Sequence, residues 1–179
     1  MSIEDKKEPW LNYLALTTVV LAVCATLATF KGGGYSTKSV ISQAQASDQW
    51  AFYQAKAMKG YLYELQKEKL ELELATLDKK VIPEVQDRYA KAITHSQERV
   101  EKYEKDKHDI QLTAKALEHE RDMAQQHSHP FGIAVIFLQV AILISSIAGL
   151  LKRKLLWQLA MPVGLLGIVF FFDGFFLFF

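Results

Sequence analysis

Few side chains in this sequence are equipped for chemistry, and the most conspicuous one lies in apolar surroundings. Asp173 is the only acidic residue within three long apolar stretches. A carboxyl at that depth is a functional candidate by default, because charge is costly in hydrocarbon. Its place near the end of the third stretch predicts a solvated position at the far interface. Gln139, Ser145 and Ser146 are the other polar candidates in the apolar stretches. They suit either a polar path or hydrogen bonding between helices, and the second is the preferred reading. Of the five histidines, His127 and His129 come nearest to a metal pair. Residues two apart do not share a helix face, and no acid or thiol is adjacent, so no metal is expected. Gly32-Gly33-Gly34 lacks the Gly-Lys-Ser/Thr of a phosphate loop, and no serine sits in a nucleophile elbow. Neither a catalytic constellation nor a cofactor is expected.

The distribution of charge explains where these residues sit. The 179 residues carry a formal net charge of +1. Residues 31–130 hold 16 Lys/Arg and 16 Asp/Glu, and the flanks hold only 5 and 4. A charge-balanced middle between apolar flanks excludes an ordinary soluble globule, a basic nucleic-acid binder and an acidic disordered tail. Three spans are predicted, at 10–30, 131–151 and 155–179, each about 20 residues or more and long enough for ~30 Å of hydrocarbon. The first is rich in Ala and Thr, which allow close approach of another helix. Pro130 is expected in the first turn of the second span, and Pro162 is expected to bend or loosen the third. The lone Cys24 reads as a packing residue. The N-terminus, 1–9, mixes both charges, unlike a signal peptide, so the first span reads as a retained anchor.

Residues 31–130 read as two helical arms of similar length, with Gly32-Gly33-Gly34 breaking the chain after the first span and a tip near 78–84. Both arms must return to one membrane face, which an antiparallel helical hairpin satisfies. In the second arm a seven-residue repeat marks a coiled-coil seam. One row is Tyr89, Ser96, Tyr103, Ile110, Leu117 and Ala124; the other is Ile93, Val100, Lys107, Ala114 and Arg121, so the seam has polar defects. In the first arm the cleanest row is Ala44, Ala51, Met58, Leu65 and Leu72. The fold class expected is thus an all-α membrane protein, with a long helical hairpin inserted between its first and second spans. The turn 152–154 consists of Lys152, Arg153 and Lys154, and short positive loops stay cytoplasmic. That places the N-terminus inside and 31–130 outside.

One segment is more specific than its composition. Asp48, Trp50, Tyr53, Gln54 and Lys56, within Ser42-Gln43-Ala44-Gln45-Ala46-Ser47-Asp48-Gln49-Trp50-Ala51-Phe52-Tyr53-Gln54-Ala55-Lys56, resemble a stretch of the bacterial family DUF4337. The segment from Phe137 to Ala148 and the Gly- and Phe-rich third span are also similar to that family. The resemblance implies an inner-membrane protein of this layout and implies no activity; in a bacterium the orientation set by the positive turn puts 31–130 in the periplasm. Read physically, the motif is a packing element at the membrane interface in preference to a ligand site. The expected function is that of a non-enzymatic, homo-oligomeric scaffold or partner-docking subunit. Its expected partners are the lipid bilayer, further copies of itself and another membrane or periplasmic protein, with no nucleic acid. The alternative is a channel or transport subunit with an oligomeric pore.

Overall fold

The computed structural model describes residues 9–76 and 83–178. Among them every regular element is helical: α1 (Pro9–Thr76), α2 (Pro83–Leu150) and α3 (Lys154–Phe176). All three contain a stretch long and apolar enough to cross a membrane. Most of the predicted tip, 78–82, lies outside the described residues, and Pro83 and Glu84 open α2. The chain divides into two compact units. One comprises the residues up to Ile41 and from Glu120 onward, and the other comprises Ser42–His119.

Two expected breaks do not occur. α1 runs unbroken through Gly32-Gly33-Gly34, and no glycine has a positive φ. Each glycine costs a helix about 1 kcal/mol relative to alanine. A break at this point would forfeit the close contact of α1 with α2, so continuity wins. Gly32 is also buried, and a Cβ there would lie 2.8 Å from Phe131 Cβ, so it serves as a contact surface. Pro130 stands inside α2 and not in a first turn. Its missing N–H forfeits one bond, to the Gln126 carbonyl, at ~3 kcal/mol. Packing of the next residue offsets this, because Phe131 is 0 % exposed. Pro162 likewise stands inside a continuous α3.

The core of the first unit is made of small residues and a few large ones. Ala25, Ala28, Ala134 and Ala141 let the helices approach, and Leu21, Leu138, Phe131 and Phe171 fill what remains. Phe131 meets Phe171 and Phe175 edge-on at 6.0 and 5.0 Å and stacks on Tyr35 at 6.1 Å. Gly167 and Gly174 receive Leu138 and Phe131 so closely that a Cβ would lie within 3.0 Å of them. Around this core Leu16, Val19, Phe30, Ile136, Leu143 and Leu165 stay exposed. An apolar exterior over helices of this length suits a lipid solvent.

In the second unit, contacts between α1 and α2 pair residues in opposite chain order. Trp50 meets Glu118, Lys56 meets Asp106, Lys67 meets Gln97 and Glu73 meets Tyr89. The face of α1 turned to α2 includes Ala46, Tyr53, Gly60, Tyr63 and Lys67, all buried or half-buried. It is not the row expected from apolar spacing. Met58, Leu65 and Leu72 are 62, 63 and 67 % exposed, and Ala44 and Ala51 are exposed as well. The face in use combines small residues with aromatic rings and long lysine stems, which bury carbon while keeping polar tips wet. A pattern search weighted toward aliphatic residues does not find such a face. On α2, Tyr89, Ile93, Val100, Tyr103 and Leu117 are half-buried, and Ser96, Ile110 and Ala114 are buried.

Candidate functional site

The five residues of the family-like motif separate into two groups. Asp48 and Gln54 are exposed. Trp50, Tyr53 and Lys56 face α2 and join a cluster there. Trp50 Nε1–H donates to Glu118 Oε1 at 2.9 Å, and its ring meets Tyr53 edge-on at 5.5 Å. Lys56 Nζ donates to Asp106 Oδ2 at 2.7 Å and lies 5.3 and 5.4 Å from the ring centres of Phe52 and Tyr103. Lys107, on α2, reciprocates over Tyr53 and Tyr61. The Lys56 hydrogen bond holds the Asp106 carboxyl below its ordinary range, against partial desolvation and with help from the Lys56, Lys102 and Lys105 charges. A hydrogen bond to Glu104 holds the Lys107 ammonium above its ordinary range, again against desolvation. Lys56, Asp106, Lys107 and Glu118 each have a partner within the cluster, which is the chemistry of a clasp between helices.

The four polar candidates of the apolar stretches do not share a wall. Gln139 and Ser146 are exposed, and the Ser146 hydroxyl donates to Ile142 O at 2.8 Å. Ser145 and Asp173 are buried. The threonines of α1 also turn inward on their own helix. Thr17, Thr18, Thr26 and Thr29 hydroxyls donate to carbonyls three or four residues back, and Thr17 Oγ1 accepts from Trp157 Nε1–H at 3.1 Å.

Asp173 is 2 % exposed, so the expected solvated position is corrected. It caps the end of α3. Its carbonyl accepts from Leu177 N–H at 2.7 Å, and its Oδ1 accepts from Phe178 N–H at 2.6 Å. Leu177, at φ 50 and ψ 61, takes the left-handed conformation that turns the chain back over the carboxyl. The same helix end is held to α2 by His127, whose Nδ1 donates to the Gly174 carbonyl at 2.9 Å while the ring stacks on Tyr35 at 4.8 Å. From the sequence, His127 reads as part of a polar helix end in preference to a metal ligand, and neither reading anticipates this contact. The glycine-with-aromatic pattern around residue 174 is the one available signal for this packing. Among the described residues no group of three His, Cys, Asp or Glu side chains is arranged for a metal ion.

Beside Asp173 lies an open cleft of about 830 Å3 between α2 and α3. Asp122, Gln125, Gln126, His129 and Asp173 form its polar part, and Pro130, Ile133, Phe170 and Leu177 its apolar part. Lys152, Arg153 and Lys154 lie at the opposite end of α3. All three are exposed, Lys152 has φ 50, and Arg153 stands at the N-cap with no side-chain cap bond.

These elements define an all-α protein with three helices long and apolar enough to cross a membrane. The chain belongs to the family described as Domain of unknown function (DUF4337), whose model matches residues 10–177, nearly its whole length. No curated protein and no solved structure matches it.

Proposed function

We propose that this protein is a non-enzymatic, self-assembling membrane scaffold or partner-docking subunit. In this reading the second unit is an antiparallel coiled-coil hairpin inserted between the first and second spans. The exposed row Ala44, Ala51, Met58, Leu65 and Leu72 carries the proposal. With Ala55 and Leu62 it forms a second seven-residue stripe on α1, about 160° around the helix from the face turned to α2. Lipid does not account for apolar side chains in a segment this rich in balanced charge. Asp48 and Lys69 bound the stripe, so the contact is confined to its middle. With Phe52 and Tyr61 the large side chains offer on the order of 600 Å2, against ~800 Å2 per partner for a standard interface. Copies inserted with one polarity in one bilayer meet in parallel, so the same stripe faces itself. The short positive turn Lys152-Arg153-Lys154 supports a cytoplasmic N-terminus, with residues 31–130 in the periplasm of a bacterial inner membrane.

The test is the mass of the protein in native membranes or nanodiscs. A defined oligomer is expected, and a strictly monomeric mass overturns the reading. A channel or transport subunit is the second reading, and the buried carboxyl of Asp173 is what favours it. In that case Asp173→Asn and Gln139→Leu abolish ion flux and leave assembly unchanged.

A further inference from the structure

We propose that a notch on α1 at Gly33-Gly34 binds the phosphate of one anionic phospholipid, such as a phosphatidylglycerol. The phosphate lies between the Lys31 and Lys38 ammonium groups, and the acyl chain runs past Phe30. This inference rests on the chain's lying in a membrane and not on its self-association.

The notch is an opening of about 610 Å3 whose lining includes Phe30, Lys31, Gly33, Gly34, Thr37 and Lys38. It lies on the side of α1 turned away from Phe131, the residue that Gly32 packs against. Its floor is a pair of glycines that the fold itself does not call for. Neither has a positive φ, and a Cβ on either meets nothing within 4 Å. Alanine would make the stronger helix at both positions. What the glycines supply instead is bare backbone that an outside molecule can approach closely.

The notch lies at the level of headgroups. Residues 9–30 carry no Asp, Glu, Lys or Arg, and Lys31 is the first charge of α1. α2 turns apolar at the same level, because Phe131, which opens its apolar stretch, packs on Gly32. The midpoint between Lys31 and Lys38 lies roughly 7 Å along the helix beyond Phe30. Headgroups occupy about 5–8 Å on each side of the hydrocarbon. An anion held between the two lysines is thus at the depth of lipid phosphate. Phe30, 77 % exposed, stands on the apolar side of it, where an acyl chain begins.

The polar groups of the notch are donors. Lys31 and Lys38 are seven residues apart, ~10.5 Å along one helix face, and their flexible stems let both reach one anion over the glycines. Among the described residues Lys31 has no ion-pair partner. Lys38 meets Glu120 at 3.8 Å with both side chains more than half exposed, a loose surface pair that leaves N–H donors unused. Thr37 adds a hydroxyl. Thr17, Thr18, Thr26, Thr29, Thr76, Thr94 and Thr113 donate to carbonyls three or four residues back, and among the described residues Thr37 makes no such bond. No acid lines the notch among the described residues. Two ammonium groups select a headgroup of net negative charge. A choline headgroup brings its own cation, which the lysines repel.

The experiment is native mass spectrometry of the purified full chain mixed with equal amounts of phosphatidylglycerol and phosphatidylcholine of identical acyl chains. Retention of phosphatidylglycerol about tenfold over phosphatidylcholine is the expected result. Equal retention, a preference for choline or no retained lipid overturns the proposal. Lys31→Gln with Lys38→Gln is expected to abolish the preference. Gly34→Leu keeps both lysines, fills the notch and is expected to abolish it as well. Lys152→Gln with Lys154→Gln, at the other end of the first unit's helices, is expected to leave it unchanged. All these positions are exposed, so helix content is expected to stay constant. A preference that survives either of the first two variants, or that is lost in the third, overturns the site. Excess inorganic phosphate is expected to leave the lipid in place, and displacement by it would reassign the notch to a free anion and overturn the lipid assignment. The same spectra give the oligomer mass, so a lost preference with that mass unchanged is a failure of this site and not of self-association.

Discussion

Alanine substitution at two adjacent glycines is expected to change stability in opposite directions. Gly32 and Gly33 are neighbours in one continuous helix, and neither has a positive φ. A Cβ on Gly33 meets nothing within 4 Å. Gly33→Ala therefore gains the helix propensity alone, about 1 kcal/mol. A Cβ on Gly32 lies 2.8 Å from Phe131 Cβ, an atom fixed to the α2 backbone that cannot swing aside. Phe131 is fully buried and boxed by Tyr35, Phe171 and Phe175, so relief requires the helices to part. Overpacking of this kind costs about 1–3 kcal/mol. Offset by ~1 kcal/mol of propensity, the net loss for Gly32→Ala is about 0–2 kcal/mol, so the two variants differ by about 1–3 kcal/mol. Thermal unfolding of the full chain in mild detergent, with helix content as the readout, measures this. At ~2–4 °C per kcal/mol, Gly33→Ala and Gly34→Ala rise by a few degrees and Gly32→Ala falls below both. If all three variants rise alike, Phe131 does not press on Gly32. If all three fall alike, the glycines form a turn with positive φ, and the continuous helix is refuted.

Three further outcomes are expected. Leu65→Glu, on the exposed stripe, lowers the oligomer mass in nanodiscs without changing helix content by circular dichroism; an unchanged mass removes that stripe from the contact. Trp50→Phe keeps the ring and loses the bond to Glu118, lowering stability in urea by about 1 kcal/mol for a half-buried bond to a charged acceptor, whereas Gln54→Ala, at an exposed position, stays within ~0.5 kcal/mol. The Asp106 carboxyl titrates below its ordinary value of 3.8, chiefly through the Lys56 hydrogen bond. A depressed folded-state pKa gives stability that is complete above the unfolded value and is lost as pH falls through the folded one. The urea-midpoint difference between wild type and Asp106→Asn is therefore constant from neutral pH down to about 5 and shrinks below about 4; a difference that grows on acidification contradicts the sign.

The solvent preference of each segment was legible in the residues alone. Three apolar stretches of spanning length and a charge-balanced middle follow from composition along the chain, because hydrocarbon and water sort residues one at a time. Family membership was legible for the same kind of reason, in a short local motif from Asp48 to Lys56. The tertiary structure decided which faces meet and what lies beneath them. The aliphatic row on α1 looked like its packed face, yet rings, lysine stems and small residues occupy that place. The reason is that a helix pair fits complementary shapes, and apolar count is a poor measure of shape. Gly32 and Pro130 looked like helix ends when read locally. They lie in helix interiors because Phe131 packs across the helices, and a contact between residues 32 and 131 leaves no mark on the sequence near either. Asp173 looked exposed from its position along α3. It is buried because α3 ends against His127 and Phe131 of α2, and only the packing of separate helices sets that depth.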